Sequence, residues 1–393
     1  MDVHNDLKTV CERNKCTGCM ACKEICPRKA IEIKDDLSSY NAIINTDKCI
    51  KCNRCYGICQ QNNPIMCKKP IEWYQGWAED LEIRAKSSSG GLASAISSSF
   101  INNGGVVCSC CFRNGRFGFE FAETTDEIQK FVGSKYVKSN PENIYKGIKD
   151  KLKNNQKVLF IALPCQVAAL KKIVGEKLEE NLYTIDLICH GTPSPKLLNK
   201  FLNQYNYDLN SLQDIQFRFK VKFMVYGNHK GIITNGVSDK YSIGFLNSLT
   251  YTENCYSCQY AKISRVSDLT LGDSWGTELS LDEQKKGISL VLSMTNKGNE
   301  LLKMSNLHLE NVALNKAIAN NHQLNHSSIM PKGRTAFFKK LPKRKFNRLV
   351  FKQLPKQCLR QDVKQLLMKL KIKKGGGLTY GLLITPISKR GEN

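Results

Sequence analysis

Residues 16–27 read CTGCMACKEICP, and residues 49–59 read CIKCNRCYGIC. Each run has the spacing C-x2-C-x2-C-x3-C, and each cysteine of the first run has a counterpart 33 residues later. This duplicated spacing is typical of a module that holds two [4Fe–4S] clusters, in which the fourth cysteine of each run ligates the other cluster. We therefore predict one cluster on Cys16, Cys19, Cys22 and Cys59 and another on Cys49, Cys52, Cys55 and Cys26.

Other uses of these cysteines fit less well. A zinc site takes four ligands and would leave cysteines over, and a disulfide framework is typical of small secreted domains. Pro27 follows Cys26, but Gln60 follows Cys59, which predicts a looser second turn with no ligand lost. Cys11 and Cys67 flank the runs, and we expect both to be bystanders.

Composition limits the class of protein. The chain has 393 residues and 18 cysteines, begins without an apolar signal segment, and contains no run of 18 apolar residues. Oxygen-sensitive clusters and free thiols predict a reducing cytoplasm. The formal net charge of +24 is uneven, because residues 332–374 hold sixteen Lys or Arg and one acid, Asp362.

The chain divides into three predicted parts: a ferredoxin-type 2[4Fe–4S] module over residues 1–70, a flavin and iron–sulfur oxidoreductase domain over 71–330, and a basic C-terminal tail over 331–393. After residue 70, apolar strand-like runs alternate with helical patterns. This alternation predicts a mixed α/β (α+β) fold with parallel strand pairing. Residues 217–241 instead predict short antiparallel strands.

Three later motifs are candidates for chemistry. Ser87 to Gly91 precedes a predicted helix, so it is either a phosphate cradle or an ordinary helix cap. Cys165 and Cys189 end two predicted strands, at the sheet edge where ligands bind in α/β folds; with Cys255 and Cys258 they favour a third [4Fe–4S] cluster over a set of buried thiols. Asp273 and Trp275 end another strand between glycines, which suggests a cofactor edge.

Together these segments resemble the family of coenzyme F420 hydrogenase/dehydrogenase beta subunits. The matching pieces are residues 86–91, 132–137, 163–166, 189–195, 255–258, 267–276 and 286–292. The resemblance implies an FAD beside a [4Fe–4S] cluster, with Ser89, Gly90 and Gly91 on phosphate and Lys135 and Tyr136 on the ring or substrate side. His190 is either a proton relay or a structural hydrogen-bonding group.

This resemblance implies an oxidoreductase that moves electrons between a ferredoxin-like donor, [4Fe–4S] clusters, FAD and a small or lipid-linked organic substrate or deazaflavin. A non-catalytic electron-transfer protein that supplies a partner enzyme is the main alternative, and a zinc-bearing nucleic-acid module is a weaker one. Four lysines near the cysteine runs either attract an acidic ferredoxin or flavodoxin as donor or are ordinary solvated side chains of a lysine-rich chain: Lys15, Lys23, Lys48 and Lys51.

The basic tail has three interpretations. It binds an anionic membrane surface, it is a solvated segment or a helix docked on its own domain, or it binds nucleic acid, which we do not expect because no recognition module is present. The first interpretation puts the protein in the cytoplasm, peripheral at the inner face of the membrane. It also predicts that a chain ending at Met330 keeps its iron and flavin.

Overall fold

A computed structural model describes residues 8–220, 222–228, 230–231 and 239–369. Its strands are β1 Ile31–Asp35, β2 Tyr40–Ile44, β3 Glu72–Ala78, β4 Val106–Arg113, β5 Arg116–Ala122, β6 Val158–Ala162, β7 Leu182–Leu187, β8 Ile215–Phe219, β9 Lys222–Gly227, β10 Lys230–Gly231, β11 Leu269–Asp273, β12 Ser289–Ser293 and β13 Leu307–Asn311. Its α-helices are α1 Ala21–Ile25, α2 Arg54–Ile58, α3 Leu81–Lys86, α4 Leu92–Asn102, α5 Ile144–Lys153, α6 Pro164–Val174, α7 Pro195–Leu202, α8 Lys240–Leu246, α9 Leu281–Lys286, α10 Asn296–Lys303, α11 Leu314–Asn320, α12 Arg334–Lys340, α13 Phe346–Gln353 and α14 Pro355–Lys369.

An eight-stranded sheet organises the larger part of the chain. Its strand order is β13-β3-β12-β11-β7-β6-β4-β5. The four strands β4, β6, β7 and β11 run parallel, and the flanking strands pair antiparallel. Strand β6 is buried at every residue, as expected for a strand covered on both faces. The predicted mixed α/β fold is confirmed.

The parallel strands determine where the later motifs meet. Strands β6, β7 and β11 are neighbours, and parallel strands end at the same edge of a sheet. Cys165 follows β6, Cys189 follows β7, and Asp273 ends β11. Residues that are distant in sequence are therefore neighbours at one edge.

The predicted antiparallel region is correct in kind but too long. Strands β8, β9 and β10 form a separate antiparallel sheet. Helix α8 begins at Lys240, because the Asp239 carboxylate accepts a hydrogen bond from the Ser242 N–H and caps the helix. The apolar residues around Tyr241 are therefore the buried face of a helix.

The basic segment after Met330 is folded up to Lys369. Phe337, Phe346 and Val350 are almost fully buried and pack in one cluster with helix α7 and strand β8. The docked-helix interpretation therefore describes helices α12 to α14, and the idea of a separate tail is corrected for these residues. The rest of the predicted tail, residues 370–393, lies outside the described residues. Among the described helices, none is both long enough and apolar enough to cross a bilayer.

Candidate functional site

The two N-terminal cysteine runs fold into equivalent loops. The Gly18 N–H donates to the Cys16 sulfur at 3.4 Å, and 33 residues later the Lys51 N–H donates to the Cys49 sulfur at the same distance. A short helix follows in each repeat, α1 or α2. The duplication in sequence is thus a duplication of backbone geometry, with N–H groups aimed at sulfur.

The loops bring the cysteines together in two sets. Cys16, Cys19, Cys22 and Cys59 line one small cavity and are buried; we call them the central cysteine group. Cys26, Cys49, Cys52 and Cys55 line a neighbouring cavity of about 90 Å³; we call them the outer cysteine group. In both sets the fourth cysteine comes from the other run, which is the exchange that the spacing predicts. Among the described residues, no three His, Cys, Asp or Glu side chains are arranged to hold a single metal ion.

Cys11 is closer to this chemistry than a bystander would be. Its buried thiol donates hydrogen bonds to Cys16 and Cys59. These bonds lower the pKa of both acceptors, that of Cys59 to about 6. Since the thiolate is the form that binds metal, Cys11 favours the ligating state of the central cysteine group.

Gln60, the residue found in place of proline, connects the two parts of the chain. Only 1% of its surface is exposed. Its side-chain amide donates to the Thr17 hydroxyl at 3.0 Å and to the Cys165 carbonyl at 2.7 Å, and it accepts a hydrogen bond from the Tyr260 hydroxyl. The predicted loosening is therefore wrong: proline has no side-chain donor, and glutamine joins the central cysteine group to the start of helix α6.

Four cysteines of the larger domain form a further set at the sheet edge: Cys165, Cys189, Cys255 and Cys258, the third cysteine group. Burial raises the pKa of Cys189 to about 12, and the neighbouring thiols of Cys255 and Cys258 contribute to that rise. Cys165 interacts with the same group, since burial raises its pKa and Cys189 and Cys258 add to the shift. The Cys255 sulfur also lies 3.9 Å from the Thr192 hydroxyl, in the loop that begins at Cys189, so these segments are neighbours. Their binding of one [4Fe–4S] cluster stays a prediction.

The central cysteine group lies between the outer and the third cysteine groups. Cys52 of the outer group is exposed. Burial and Cys19 raise the pKa of Cys22, and Cys55 of the outer group contributes to that shift. Cys19 in turn contributes to the raised pKa of Cys165. The central group thus lies in electrostatic contact with both of the others.

The surface around Cys52 is basic and partly apolar. Lys48 and Lys51 lie there with partly or fully exposed side chains, and Ile50 and Tyr56 are 60% and 57% exposed. The other two lysines of the predicted donor surface have protein partners. Lys23 forms an ion pair with Glu142, and Lys15 donates to the Ser257 hydroxyl.

The loop Ser87 to Gly91 is bonded mainly to the protein itself. The Ser89 hydroxyl donates to the Ile288 carbonyl, and the Gly90 N–H donates to the Ser289 hydroxyl, both at 3.0 Å. A Cβ atom on Gly90 would lie 2.4 Å from the Gly76 carbonyl oxygen, so this glycine permits close packing against strand β3. Gly91 has a φ of 89° and precedes helix α4. The N-cap residue of this helix is Gly91, without a side-chain cap, while Ser89 and Gly90 are bonded to the start of strand β12. Their contact with phosphate stays a prediction.

Lys135 and Tyr136, adjacent in sequence, lie in different surroundings. The Lys135 ammonium donates to the Phe131 carbonyl at 2.6 Å and closes a short helical turn. Burial lowers its pKa, and the thiols of Cys110 and Cys111 oppose that shift. Tyr136 instead stacks on Phe245, with ring centres 4.4 Å apart.

A polar pair at the end of strand β11 joins Tyr136 to the sheet edge. Arg218 donates two hydrogen bonds to the Asp273 carboxylate, at 2.6 and 2.8 Å. Its guanidinium lies 5.4 Å from the centre of the Trp275 ring and 4.9 Å from that of Phe223. Phe223 stacks at 5.7 Å on Tyr136. Asp273 and Trp275 therefore lie together, and Arg218 is a central residue that no sequence motif indicated.

Lys220 is another such residue, because one lysine in a lysine-rich chain gives no signal. Its ammonium donates to the carbonyl of Ser89, at 3.1 Å, and to that of Arg84. Burial lowers its pKa to about 8, and the charges of Arg84 and Arg218 add to this shift. Below pH 8 the loop before helix α4 therefore has a cation beside it.

His190 lies between the third cysteine group and these polar residues. Burial lowers its pKa to about 4, and His322 contributes. The Gln323 amide nitrogen is 2.7 Å from Nδ1 of His190 and 2.7 Å from Nε2 of His322. The ring is therefore neutral at physiological pH and fixed in orientation.

Family models match three consecutive parts of the chain, up to residue 315. Two family models describe the N-terminal and C-terminal parts of the beta subunit of coenzyme F420 hydrogenase/dehydrogenase, and they match residues 73–143 and 155–315 respectively. A 4Fe-4S dicluster domain matches residues 15–63.

Similar proteins include two curated proteins and a chain of a solved structure. One of the subunits of the F(420)H(2) dehydrogenase of Methanosarcina mazei is 23% identical over 337 residues, which cover 75% of this chain and 92% of that protein. An uncharacterized protein of Methanocaldococcus jannaschii is 24% identical over 44% of this chain and 57% of its own length. A chain of the F420-reducing [NiFe] hydrogenase complex from Methanosarcina barkeri aligns with a TM-score of 0.45 and 18% identity, over 65% of this chain and 91% of that chain.

Proposed function

Because the chain belongs to the family of coenzyme F420 hydrogenase/dehydrogenase beta subunits, we propose that it exchanges electrons between an acidic one-electron carrier and an organic hydride donor or acceptor. It is an iron–sulfur protein of the oxidoreductase type. The proposed cofactors are three [4Fe–4S] clusters, one on each cysteine group, and an FAD. When bound, a flavin exchanges hydride with an organic molecule, while iron–sulfur clusters carry single electrons.

One observation carries this proposal: the three cysteine groups lead from an exposed surface to a polar site at the sheet edge. Cys52 is at the exposed end, and Cys189 is at the other, next to His190. The electrostatic contacts of Cys22 with Cys55 and of Cys165 with Cys19 support electron transfer through the central group.

The residues beyond His190 suit a flavin and an organic substrate. Tyr136 and Trp275 offer aromatic faces, and Arg218 offers a guanidinium held in place by Asp273. Lys220, protonated below about pH 8, is suited to a phosphate near the start of helix α4. The non-catalytic alternative lacks a role for this polar site.

Anaerobic purification tests the proposal. We expect about twelve irons with matching sulfide per chain, one FAD, and bleaching of the flavin by a reduced deazaflavin. A chain with iron but no flavin, reduced only by one-electron donors, would support the non-catalytic alternative. Zinc in place of iron would refute both.

The same protein tests the donor surface. Reduction by an acidic ferredoxin should slow as salt is raised, because exposed charges are screened over about 10 Å at 0.1 M salt. The variant K48E/K51E should reduce this rate at least tenfold and leave reduction by dithionite unchanged. The charge reversal K285E, on the exposed helix α9, is the matched control. If ferredoxin reduces the two variants at equal rates, the donor does not bind at this surface.

We also propose that helix α14 binds an anionic membrane surface. Leu359, Val363 and Leu366 form a stripe that is more than half exposed. Basic residues lie before it in the chain and along the same helix: Lys339, Lys340, Lys343, Arg344, Lys345, Arg348, Lys352, Lys356 and Arg360. Apolar groups on one helix face with basic residues beside them are typical of interfacial helices.

Replacing the three apolar residues of this stripe by serine should weaken binding to phosphatidylserine vesicles at least tenfold at low salt, because each buried apolar side chain contributes about 1.5–3 kcal/mol. Neutral phosphatidylcholine vesicles should bind neither protein. Since all three side chains are exposed, the variant should keep its fold and its iron. Unchanged vesicle binding by the variant would contradict the membrane role.

A further inference from the structure

Lys138 is a buried lysine whose side chain lies between two cysteine loops. Only 5% of its surface is exposed. Its ammonium donates to the Thr17 carbonyl at 3.0 Å, within the loop from Cys16 to Cys19. Its backbone N–H donates at 2.8 Å to the carbonyl of Pro193, in the loop that begins at Cys189. The side chain therefore lies where the loops of the central and third cysteine groups meet.

This buried charge has no carboxylate partner. Within residues 8–220, 222–228, 230–231 and 239–369, no Asp or Glu oxygen forms an ion pair with Lys138. The ring of Tyr40, 5.2 Å from the ammonium, gives only a cation–π contact. A buried charge is costly unless it is paired, so an anion is needed at this position.

The cysteine loops on both sides supply that anion once clusters are bound, because a [4Fe–4S] cluster with its four thiolates carries a net negative charge. The Thr17 carbonyl that Lys138 contacts lies between Cys16 and Cys19, and the Pro193 carbonyl lies in the loop that begins at Cys189. Lys138 therefore lies beside two separate ligand sets.

We propose that Lys138 is a fixed positive charge shared by the central and third cysteine groups, and that it raises the reduction potentials of the clusters bound there. This inference rests on the proposed function, which assigns a cluster to each group. Reduction adds one electron, supplied by the reduced flavin, with no bond made or broken and no proton taken up. Because the added charge is negative, a nearby ammonium stabilises the reduced form over the oxidised one.

The shared position has a functional consequence. An electron passing between the third and central groups remains close to the same ammonium. Both reduction potentials are therefore raised together, and the electron is not held on one of the two clusters. The outer group is on the far side of the central group, and its potential should depend little on Lys138. Lys138 thus acts by holding a positive charge near two clusters, and it is not one of the residues of the proposed organic substrate site.

Redox titration of the anaerobic full-length protein, followed by electron paramagnetic resonance, tests the proposal. In K138M, the equilibrium constants for reduction of two of the three clusters should fall at least tenfold, which is about 59 mV for a one-electron couple. The third, assigned to the outer group, should change less than twofold. K138R keeps the charge and should remain close to the wild type.

K149M is the matched control, because Lys149 also donates to a main-chain carbonyl, that of Ile173 at 2.7 Å, but in helix α6 and outside any cysteine loop. Equal potentials in K138M and K149M would overturn the proposal. If K138M loses iron, K138R should restore it; loss of iron in both would mean that side-chain shape, and not charge, is required. A wild-type chain with fewer than about twelve irons would instead count against the proposed function.

Discussion

The substitution F337A is expected to lower the free energy of unfolding by about 3–5 kcal/mol, the range for removing a buried phenylalanine side chain. Phe337, on helix α12, is fully buried, and its ring meets that of Phe346 edge-on with centres 5.6 Å apart. Truncation to alanine leaves a cavity, because the surrounding helices are held by their other contacts and cannot move in to fill it. Urea titration followed by circular dichroism, at equal iron content, measures the loss.

F351A is the control, because Phe351 on helix α13 is 41% exposed. It should change the free energy of unfolding by no more than about 0.5 kcal/mol. Equal effects of F337A and F351A would mean that helix α12 does not belong to the core.

The same packing corrects the expectation that a chain ending at Met330 keeps its iron and flavin. That truncation would remove a set of buried side chains: Phe337, Leu341, Phe346, Leu349, Val350, Leu354 and Cys358. Each apolar side chain of this kind contributes about 1.5–3 kcal/mol, and domains are stable by only about 5–15 kcal/mol. We therefore expect the truncated chain to unfold.

The substitution R265L is expected to cost about 3–5 kcal/mol of the free energy of unfolding, because it leaves the buried Asp186 carboxylate without its cation. Both side chains are essentially inaccessible to water. Arg265 donates to Oδ1 of Asp186 at 2.7 and 3.1 Å and to the Tyr260 carbonyl at 2.6 Å. It thereby fixes the segment after Cys258 against strand β7.

The double variant D186L/R265L should be more stable than R265L, because replacing a whole buried ion pair is less costly than breaking it. R113L, at an exposed arginine, should remain within about 0.5 kcal/mol of the wild type. The same urea titration measures all three variants. A double variant less stable than R265L would show that Asp186 is not the source of the loss.

Much of the fold was predictable because its signals are local. The sequence predicts a buried strand over residues 158–163 and an amphipathic helix over residues 141–154, and both are close to the observed strand β6 and helix α5. The alternation of such elements predicted a parallel sheet, and parallel strands explain why Cys165 and Cys189 meet. The antiparallel pairing at one side of the sheet was harder to predict, since it joins residues far apart in sequence, as for β3 with β12.

The residues around the candidate site were less predictable. Lys138, Gln60 and Arg218 belong to common residue types and are part of no spacing pattern. Their roles depend on long-range contacts, for example of Lys138 with Thr17, of Gln60 with Cys165, and of Arg218 with Asp273. Lys135 shows the converse, since the family resemblance placed it with Tyr136 on one side of the site and the two side chains have different neighbours.

The presence of two equivalent cysteine loops follows from the sequence alone, because the ligand spacing for each loop is contained within a few residues. The sequence also determined the alternation of strands and helices, whose periods are local. Tertiary packing, in contrast, determines which buried charge lies beside which cysteine group. It also determines whether the basic C-terminal helices are free or docked on the rest of the protein. These outcomes depend on which surfaces lose their water by packing against each other, and the contacting residues are 100 or more positions apart in the sequence. No local sequence pattern indicates which surfaces those are.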